Sequence, residues 1–253
     1  MTSDPKPMVT REEFSRIQRD AAEGMARDQD LLHAARDVLA RADSHRWLHQ
    51  NTWMGEPVLN LPQDMFALQD IIWRTRPEFI IEIGVAWGGG MLFHSTLLEV
   101  LGGGEVIGVD IFIPPDLRER LASHATLTRR IKLIEGSSIA PETVERVRSI
   151  VGGSRRTLVV LDSHHTHDHV LAELRAYAPL VGRGCYLVAG DTIVEHIAAP
   201  AHRPRPWGPG NNPATAVKAF LSECSRFAVD QDLERRLLLS CHPGGYLVAA
   251  GDP

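Results

Sequence analysis

Between residues 79 and 189, short continuous apolar runs alternate with stretches of helical periodicity, and nothing else in the 253 residues restricts the fold so strongly. The runs at 79–83, 105–109, 131–134, 157–161 and 185–189 lack the in-out alternation of a half-exposed strand. They read as strands buried on both faces, which a parallel sheet covered by helices requires. Helices are predicted between them at 90–101, about 115–122, 141–151 and 168–180. Strict alternation of this kind implies an α/β, Rossmann-like fold with a mostly parallel central sheet and helices on both faces. Past 189 the pattern changes to a Pro- and Gly-rich loop at 199–213, a helix at 213–223, and strands near 226–230, 235–240 and 244–249 that close the sheet with an antiparallel pair.

Ahead of the alternating region, Phe14, Ile17, Ala21, Met25, Leu31, Leu32, Ala35, Val38 and Leu39 recur at helical spacing. They predict one or two amphipathic helices over residues 11–42, followed by a connector and a helix at 61–73 that ends before Pro77. The chain thus divides into an N-terminal helical extension and connector, 1–60, and an α/β domain, 61–253. The apolar stripe of the extension must be covered by something, and a homo-oligomer formed through these helices is expected.

A net charge of -5 with no Lys/Arg block argues against nucleic acid and for a small-molecule substrate. Residues 1–9 are polar and broken by proline, and no later stretch has the length and apolarity of a membrane span, so a soluble, cytoplasmic protein without a membrane partner is expected. Cys185, Cys224 and Cys241 are odd in number and widely spaced, which indicates neither a disulfide framework nor a thiolate zinc site.

Two turns carry the chemistry. The first is the strand Phe79-Ile-Ile-Glu-Ile running into Gly84-Val-Ala-Trp-Gly-Gly-Gly and then a helix, so the backbone must approach a ligand closely there. The spacing is wrong for a dinucleotide fingerprint. The second is Leu161-Asp-Ser-His-His-Thr-His-Asp-His169, four of the twelve histidines directly after a buried strand. Making an alcohol nucleophilic needs a base within hydrogen-bond reach, a cation that stabilises the alkoxide, or both, and an Asp with a His on one strand-to-helix turn can provide them.

The first turn, an acid at a strand end followed by Gly-x-x-x-Gly, resembles motif I of the class I S-adenosylmethionine-dependent methyltransferases. The resemblance implies a cofactor turn made by Glu82, Gly84, Ala86, Trp87, Gly88 and Gly89, an acid for the ribose hydroxyls at Asp110, and adenine contacts at Ser137 and Ser138. The second turn is similar to that of the metal-dependent O-methyltransferases, in which an Asp at this point ligates Mg2+ and a base lies three residues on; here these are Asp162 and His165. More specifically, the chain from Thr52-Trp53-Met54-Gly55 onward resembles the cephalosporin hydroxylase and rhamnosyl O-methyltransferase family. The marks are Glu82-Ile-Gly84, Glu135-Gly-Ser-Ser138, Leu161-Asp-Ser-His-His165, His169-Val170, Asp191-Thr192 and Arg205-Pro-Trp-Gly-Pro-Gly-Asn-Asn-Pro213.

That resemblance implies Asp162 and Asp191 as Mg2+ ligands. In the family the fifth strand often ends in Glu-Asp, both at the metal, whereas this chain has Gly190-Asp191. The expected activity is S-adenosylmethionine- and Mg2+-dependent O-methylation of a hydroxyl on a sugar, a sugar-bearing compound or another specialised metabolite. Asp162 and His165 are the expected catalytic residues. Arg203, Arg205, Trp207, Asn211 and Asn212 of the long loop read as a lid over the substrate, with Trp53 and Met54 on its other side.

Two alternatives use the same residues. A zinc hydrolase would draw on the cluster from His164 to His169, where His164, Asp168 and His169 match the spacing of a His-x-His-x-Asp-His site but Thr166 occupies its second histidine position. A non-catalytic partner protein would bind S-adenosylmethionine and transfer nothing. His167 and His169 also read simply as first-turn residues of the next helix.

Overall fold

The structure, a computed structural model, describes residues 9–197 and 203–253, so positions 1–8 and the part of the long loop at 199–202 lie outside the described residues. Two helices come first, α1 (Arg11–Arg27) and α2 (Gln29–Asp43), then a hairpin of β1 (Asn51–Trp53) and β2 (Glu56–Val58). The alternating region follows as α3 (Pro62–Thr75), β3 (Phe79–Ile83), α4 (Gly89–Leu101), β4 (Glu105–Asp110), α5 (Pro115–Ala122), α6 (Ala125–Thr128), β5 (Ile131–Glu135), α7 (Pro141–Val151), β6 (Thr157–Leu161), α8 (His167–Tyr177) and β7 (Tyr186–Ala189). The chain ends with α9 (Pro213–Glu223), β8 (Phe227–Val229), α10 (Gln231–Glu234) and β9 (Tyr246–Ala249).

The seven strands β3 to β9 form one sheet in the order β5-β4-β3-β6-β7-β9-β8. β5, β4, β3, β6 and β7 are mutually parallel, and β9 runs antiparallel between β7 and β8. Alternate strand residues feed opposite faces. Ile81, Ile83, Val159 and Leu161 meet Val147, Leu174, Tyr177 and Phe220 on one side, while Ile80, Leu158 and Val160 meet Leu68, Ile71, Met91 and Leu98 on the other. Each of these fully buried aliphatic side chains stabilises the fold by about 2 kcal/mol, which is why the strands carry no polar face. The expected α/β architecture, Rossmann-like and mostly parallel with helices on both faces, is the one observed.

Sequence order reverses between β3 and β6: β4 and β5 lie on one side of that boundary, β6 and β7 on the other. A crevice opens at such a switch point, beyond the carboxyl ends of the strands.

Three local differences from the sequence reading have physical causes. The connector forms the β1–β2 hairpin, whose Met54 and Gly55 both have positive φ, as a two-residue turn matching the twist of its strands requires. The helix expected over 168–180 runs from His167 to Tyr177 and tightens into a 3-10 turn at Ala178–Leu180, where Pro179 cannot continue the α-helical bonding. No strand forms over 235–240. Leu237 and Leu239 instead pack into two different apolar clusters, and Asp64, buried on α3, accepts bonds from Ser240 Oγ (2.6 Å), Cys241 N (2.8 Å) and Tyr246 Oη (2.7 Å). A segment whose end is tied to a helix through the Ser240 hydroxyl and the next residue's N–H does not lie down on a sheet edge.

α2 is part of the body: Ala35 and Leu39 are buried, and Leu39 packs with Leu61, Ile193 and Cys241. α1 buries nothing, and Phe14 and Ile17 stay half exposed at 50% and 49%. Among the described residues, no helix is long and apolar enough to cross a membrane.

Candidate active site

A cavity of about 750 Å3 lies at the switch point. Its floor is made of the segments that follow β3, β4, β5, β6 and β7, and it is walled by Leu39 and Asp43 of α2, by Leu48 and His49, and by Arg203, Arg205 and Trp207 of the long loop. Five strand ends converge because all five strands are parallel and in register.

The turn after β3 is pressed against the turn after β6. Gly84 has φ +98°, and a β-carbon there would collide with the Asp162 carbonyl oxygen, so only glycine permits this approach. Asp110, at the end of β4, accepts from Val85 N at 2.8 Å, Ala86 N at 3.2 Å and Phe112 N at 3.2 Å, which holds the glycine turn in shape and leaves lone pairs for a ligand hydroxyl. Glu82, Gly84, Ala86, Trp87, Asp110, Ser137 and Ser138 all line the cavity. Gly88 and Gly89 do not: Gly88 caps α4 against Leu117, and Gly89 lies under the Pro57 carbonyl, so these two glycines are explained by packing.

Glu82 is tucked behind the turn, where Gly90 leaves it room, 3.4 Å from Nε2 of the buried His94. Burial pushes the Glu82 carboxyl up to about 8 and the His94 imidazole down to about 3, so both rest neutral and their contact is no ion pair.

The turn after β6 and the end of β7 bring Asp162, His165 and Asp191 together: ligand atoms of all three lie within 4.8 Å of one another. His165 Nε2 is 3.6 Å from Asp191 Oδ2. Asp191 has φ +52°, an unusual conformation for a non-glycine residue, and its backbone N–H is held by His242 Nδ1 at 3.1 Å. Gly190 lends Asp162 its space, since a β-carbon at 190 would stand 2.6 Å from Asp162 Oδ1.

The electrostatics mark a site short of positive charge. Burial raises the Asp162 carboxyl well above its usual range, and the neighbouring Asp191 carboxylate raises it further. Burial lowers His165 below the usual imidazole value, against the pull of Asp191 and Glu173. His165 is therefore a neutral imidazole at physiological pH, able to accept a proton. Two carboxylates with room for further oxygen ligands match a hard divalent cation such as Mg2+, which keeps several waters and takes one or two carboxylates. A bound cation would also relieve the crowding at Asp162, so these residues fit the metal.

The other histidines diverge. His164 Nδ1 contacts Thr166 Oγ1 at 3.0 Å, His167 Nδ1 contacts Thr215 Oγ1 at 2.8 Å, and His169 Nε2 lies 3.1 Å from Glu173 Oε1. The zinc reading of the cluster from His164 to His169 fails on this geometry: among the described residues, the metal-capable group that includes a histidine of that cluster uses His165 alone, with two carboxylates from outside the run.

Of the expected substrate residues, the structure brings three to the cavity. The Trp207 ring sits edge-on to His165 with centroids 4.9 Å apart, Arg205 lies over the Trp207 ring at 5.1 Å, and Arg203 Nη2 pairs with Asp43 Oδ1 at 2.5 Å. Asn211 and Asn212 brace the loop instead. Asn211 Oδ1 accepts from His167 N at 2.9 Å, and the buried Asn212 caps α9 and donates to Gly208 O at 2.8 Å. Trp53 and Met54 are not lining residues either: Trp53 packs edge-on against Phe93 at 5.1 Å with its Nε1 donating to Thr96, and Met54 is exposed at the hairpin turn.

Sequence reasoning missed Asp43, His94, Glu173 and His242. Only Glu173 left a trace, as an acid on the apolar stripe Val170, Leu174 and Tyr177 of its helix.

Comparison with known proteins agrees with this architecture. Rhamnosyl O-methyltransferase from Mycobacterium tuberculosis is 27% identical over 230 residues, covering 86% of this chain and 88% of that protein. The rhamnosyl O-methyltransferase of Mycobacterium leprae is 29% identical over 202 residues, covering 76% and 82%. A solved CmcI structure with Mg and SAM superimposes with a TM-score of 0.56 at 21% identity, over 79% of this chain and 77% of that one, a likeness of fold. The family described as rhamnosyl O-methyltransferase/CmcI matches residues 45–250. That span takes in every cavity-lining residue except Leu39 and Asp43, and the chain belongs to this rhamnosyl O-methyltransferase/CmcI family.

Proposed function

We propose that the protein transfers a methyl group from S-adenosylmethionine to a hydroxyl of a sugar or sugar-bearing metabolite, with His165 as general base and Asp162 and Asp191 as ligands of Mg2+. As a family member it is an S-adenosylmethionine-dependent O-methyltransferase. The observation that carries the assignment of roles is the convergence of Asp162, His165 and Asp191 beside the Gly84 turn, where two carboxylates and a neutral imidazole meet.

When bound, S-adenosylmethionine supplies an already activated methyl group and Mg2+ supplies positive charge that favours ionisation of the acceptor hydroxyl. The chain does the rest. Glu82, Ala86, Trp87, Asp110, Ser137 and Ser138, which line the cavity floor, would hold the donor. Asp162 and Asp191 would hold the cation. Neutral His165 takes the hydroxyl proton on a ring nitrogen as the oxygen becomes nucleophilic. Trp207 keeps the imidazole in place and, with Arg203 and Arg205, covers the acceptor against water. Much of the rate would come from holding two reactants together in one cavity.

The test incubates the protein with S-adenosylmethionine, Mg2+ and a panel of nucleotide-sugars and glycosides, with mass spectrometry for a methyl gain. Binding of S-adenosylmethionine with no gain on any acceptor favours the non-catalytic reading.

The chain acts in the cytoplasm, a placement supported by its three unpaired cysteines. It assembles as a homo-oligomer through α1, whose apolar residues Phe14 and Ile17 lack cover in the single chain. A monomeric mass by light scattering at micromolar concentration would end that part of the proposal.

A further inference from the structure

Glu173 is a carboxylate where its helix otherwise presents an apolar face to the sheet. It lies on α8 among Val170, Leu174 and Tyr177 and is completely buried. One of its oxygens, Oε1, accepts from Ser138 Oγ at 2.5 Å and from Ser163 Oγ at 2.6 Å, with His169 Nε2 at 3.1 Å. The other, Oε2, is buried without a partner among the described residues. Burying an ionisable carboxyl costs several kcal/mol more than burying a leucine in the same stripe, so packing alone does not account for it.

The two serines belong to different halves of the site. Ser138 is in the segment after β5, on the cofactor side, and Ser163 directly follows Asp162 on the metal side. Tyr177, one turn further along α8, donates from its hydroxyl to the Ser138 carbonyl at 2.9 Å, so the helix holds the β5 segment at two points. A single carboxylate oxygen satisfies both hydroxyls only when both segments are in place. Ordering either one sets the carboxylate rotamer that the other needs.

We infer that Glu173 is a positioning residue that couples cofactor binding to metal binding, through the link Ser138–Glu173–Ser163. The inference rests on assigning S-adenosylmethionine to the segments after β3, β4 and β5 and Mg2+ to Asp162 and Asp191. Each ligand then tightens the other, because the ordering of the shared carboxylate is required once for both.

Calorimetric titration of the full chain tests it, using S-adenosylhomocysteine with and without saturating Mn2+, and Mn2+ with and without saturating S-adenosylhomocysteine. In the parent each ligand is expected to lower the Kd of the other by about 5-fold, the lower end of ordinary allosteric coupling. In Glu173→Gln and in Ser163→Ala both ligands still bind and the ratio falls to about 1. A purely structural Glu173 would instead lower Tm and both affinities while leaving the ratio unchanged. Ser163→Ala cuts one link without altering the buried acid, so it reports even where Glu173→Gln does not fold. No coupling in the parent, or the parental ratio retained in Ser163→Ala, overturns the inference. A parent that binds neither ligand overturns the assignment of the site beneath it.

Discussion

Gly190 and Asp162 meet across the ends of β7 and β6: a β-carbon at position 190 would lie 2.6 Å from Asp162 Oδ1 and 2.9 Å from the Leu161 carbonyl oxygen. The missing side chain is thus the space that the Asp162 carboxylate occupies. Adding an acid there, as Gly190→Glu, forces that carboxylate or the β6 backbone to move, and such overpacking costs about 1–3 kcal/mol. Mn2+ affinity measured by electron paramagnetic resonance is expected to fall about tenfold in Gly190→Glu. Tighter binding would mean that Asp162 moves freely and that the site gains from a third carboxylate.

The proposed base, His165, is buried, which favours its neutral form, and lies 3.6 Å from Asp191. His165→Gln is expected to lower kcat about 10²–10⁴-fold, the usual contribution of a general base, with the Kd for S-adenosylhomocysteine unchanged. Parental turnover in this variant would remove His165 from the mechanism.

Trp207 touches the site twice, edge-on to His165 at 4.9 Å and to His164 at 5.4 Å. Trp207→Ala should raise KM for the acceptor about tenfold, through lost stacking worth about 1–1.5 kcal/mol, and lower kcat several-fold as the imidazole loosens. Cofactor affinity should stay at the parental value. Steady-state kinetics with each substrate varied in turn separates the two effects.

Glu82 makes stability depend on pH with a definite sign. Its carboxyl ionises near 4.5 in the unfolded chain but, through burial, only at about 8 in the folded one. Between those values the folded state holds a proton that the unfolded chain has released, so stability from this group is intact below pH 4.5 and is lost as pH rises to 8. Glu82→Gln without cofactor should therefore melt with the parent near pH 5 and above it at pH 8, by on the order of 5 °C. His94, lowered to about 3 by burial, gives the opposite trend, with stability lost as pH falls below 6.5, and it does so in both proteins. Thermal melts at pH 5, 6.5 and 8 check the difference, and coincident melts at pH 8 would refute an ionisation held that high.

Asp64 holds the tail of the chain through three bonds to Ser240, Cys241 and Tyr246. Asp64→Ala strands a buried backbone N–H and two hydroxyls and should cost about 3 kcal/mol or more in chemical denaturation. A loss under 1 kcal/mol would mean that the 240–246 segment is anchored elsewhere.

The elements most legible in the sequence are those whose apolar pattern is local. The strand at 79–83 appears where it was predicted, and the helices at 141–151 and 213–223 have the expected bounds. The segment at 235–240 failed because its three leucines look like a strand until Asp64, far away in sequence, ties down its end through the Ser240 hydroxyl and the Cys241 N–H. Trp53, Met54, Asn211 and Asn212 had the composition of binding residues, yet hydrogen bonds and packing explain them. Asp43 and His242 carried no local pattern, since each matters only through a partner more than fifty residues away: Arg203 for one, Asp191 for the other.

By itself, then, the sequence determined the parallel α/β layering and the acid-and-glycine turns at its strand ends, because periodicity and turn chemistry act over a few residues. The tertiary structure decided which side chains share the cavity. It set His165, alone of four neighbouring histidines, within ligand distance of Asp162 and Asp191, made Gly190 the room for Asp162, and buried Glu173 beneath two loops, because only the parallel register of β3, β6 and β7 brings those strand ends within a few ångströms of one another.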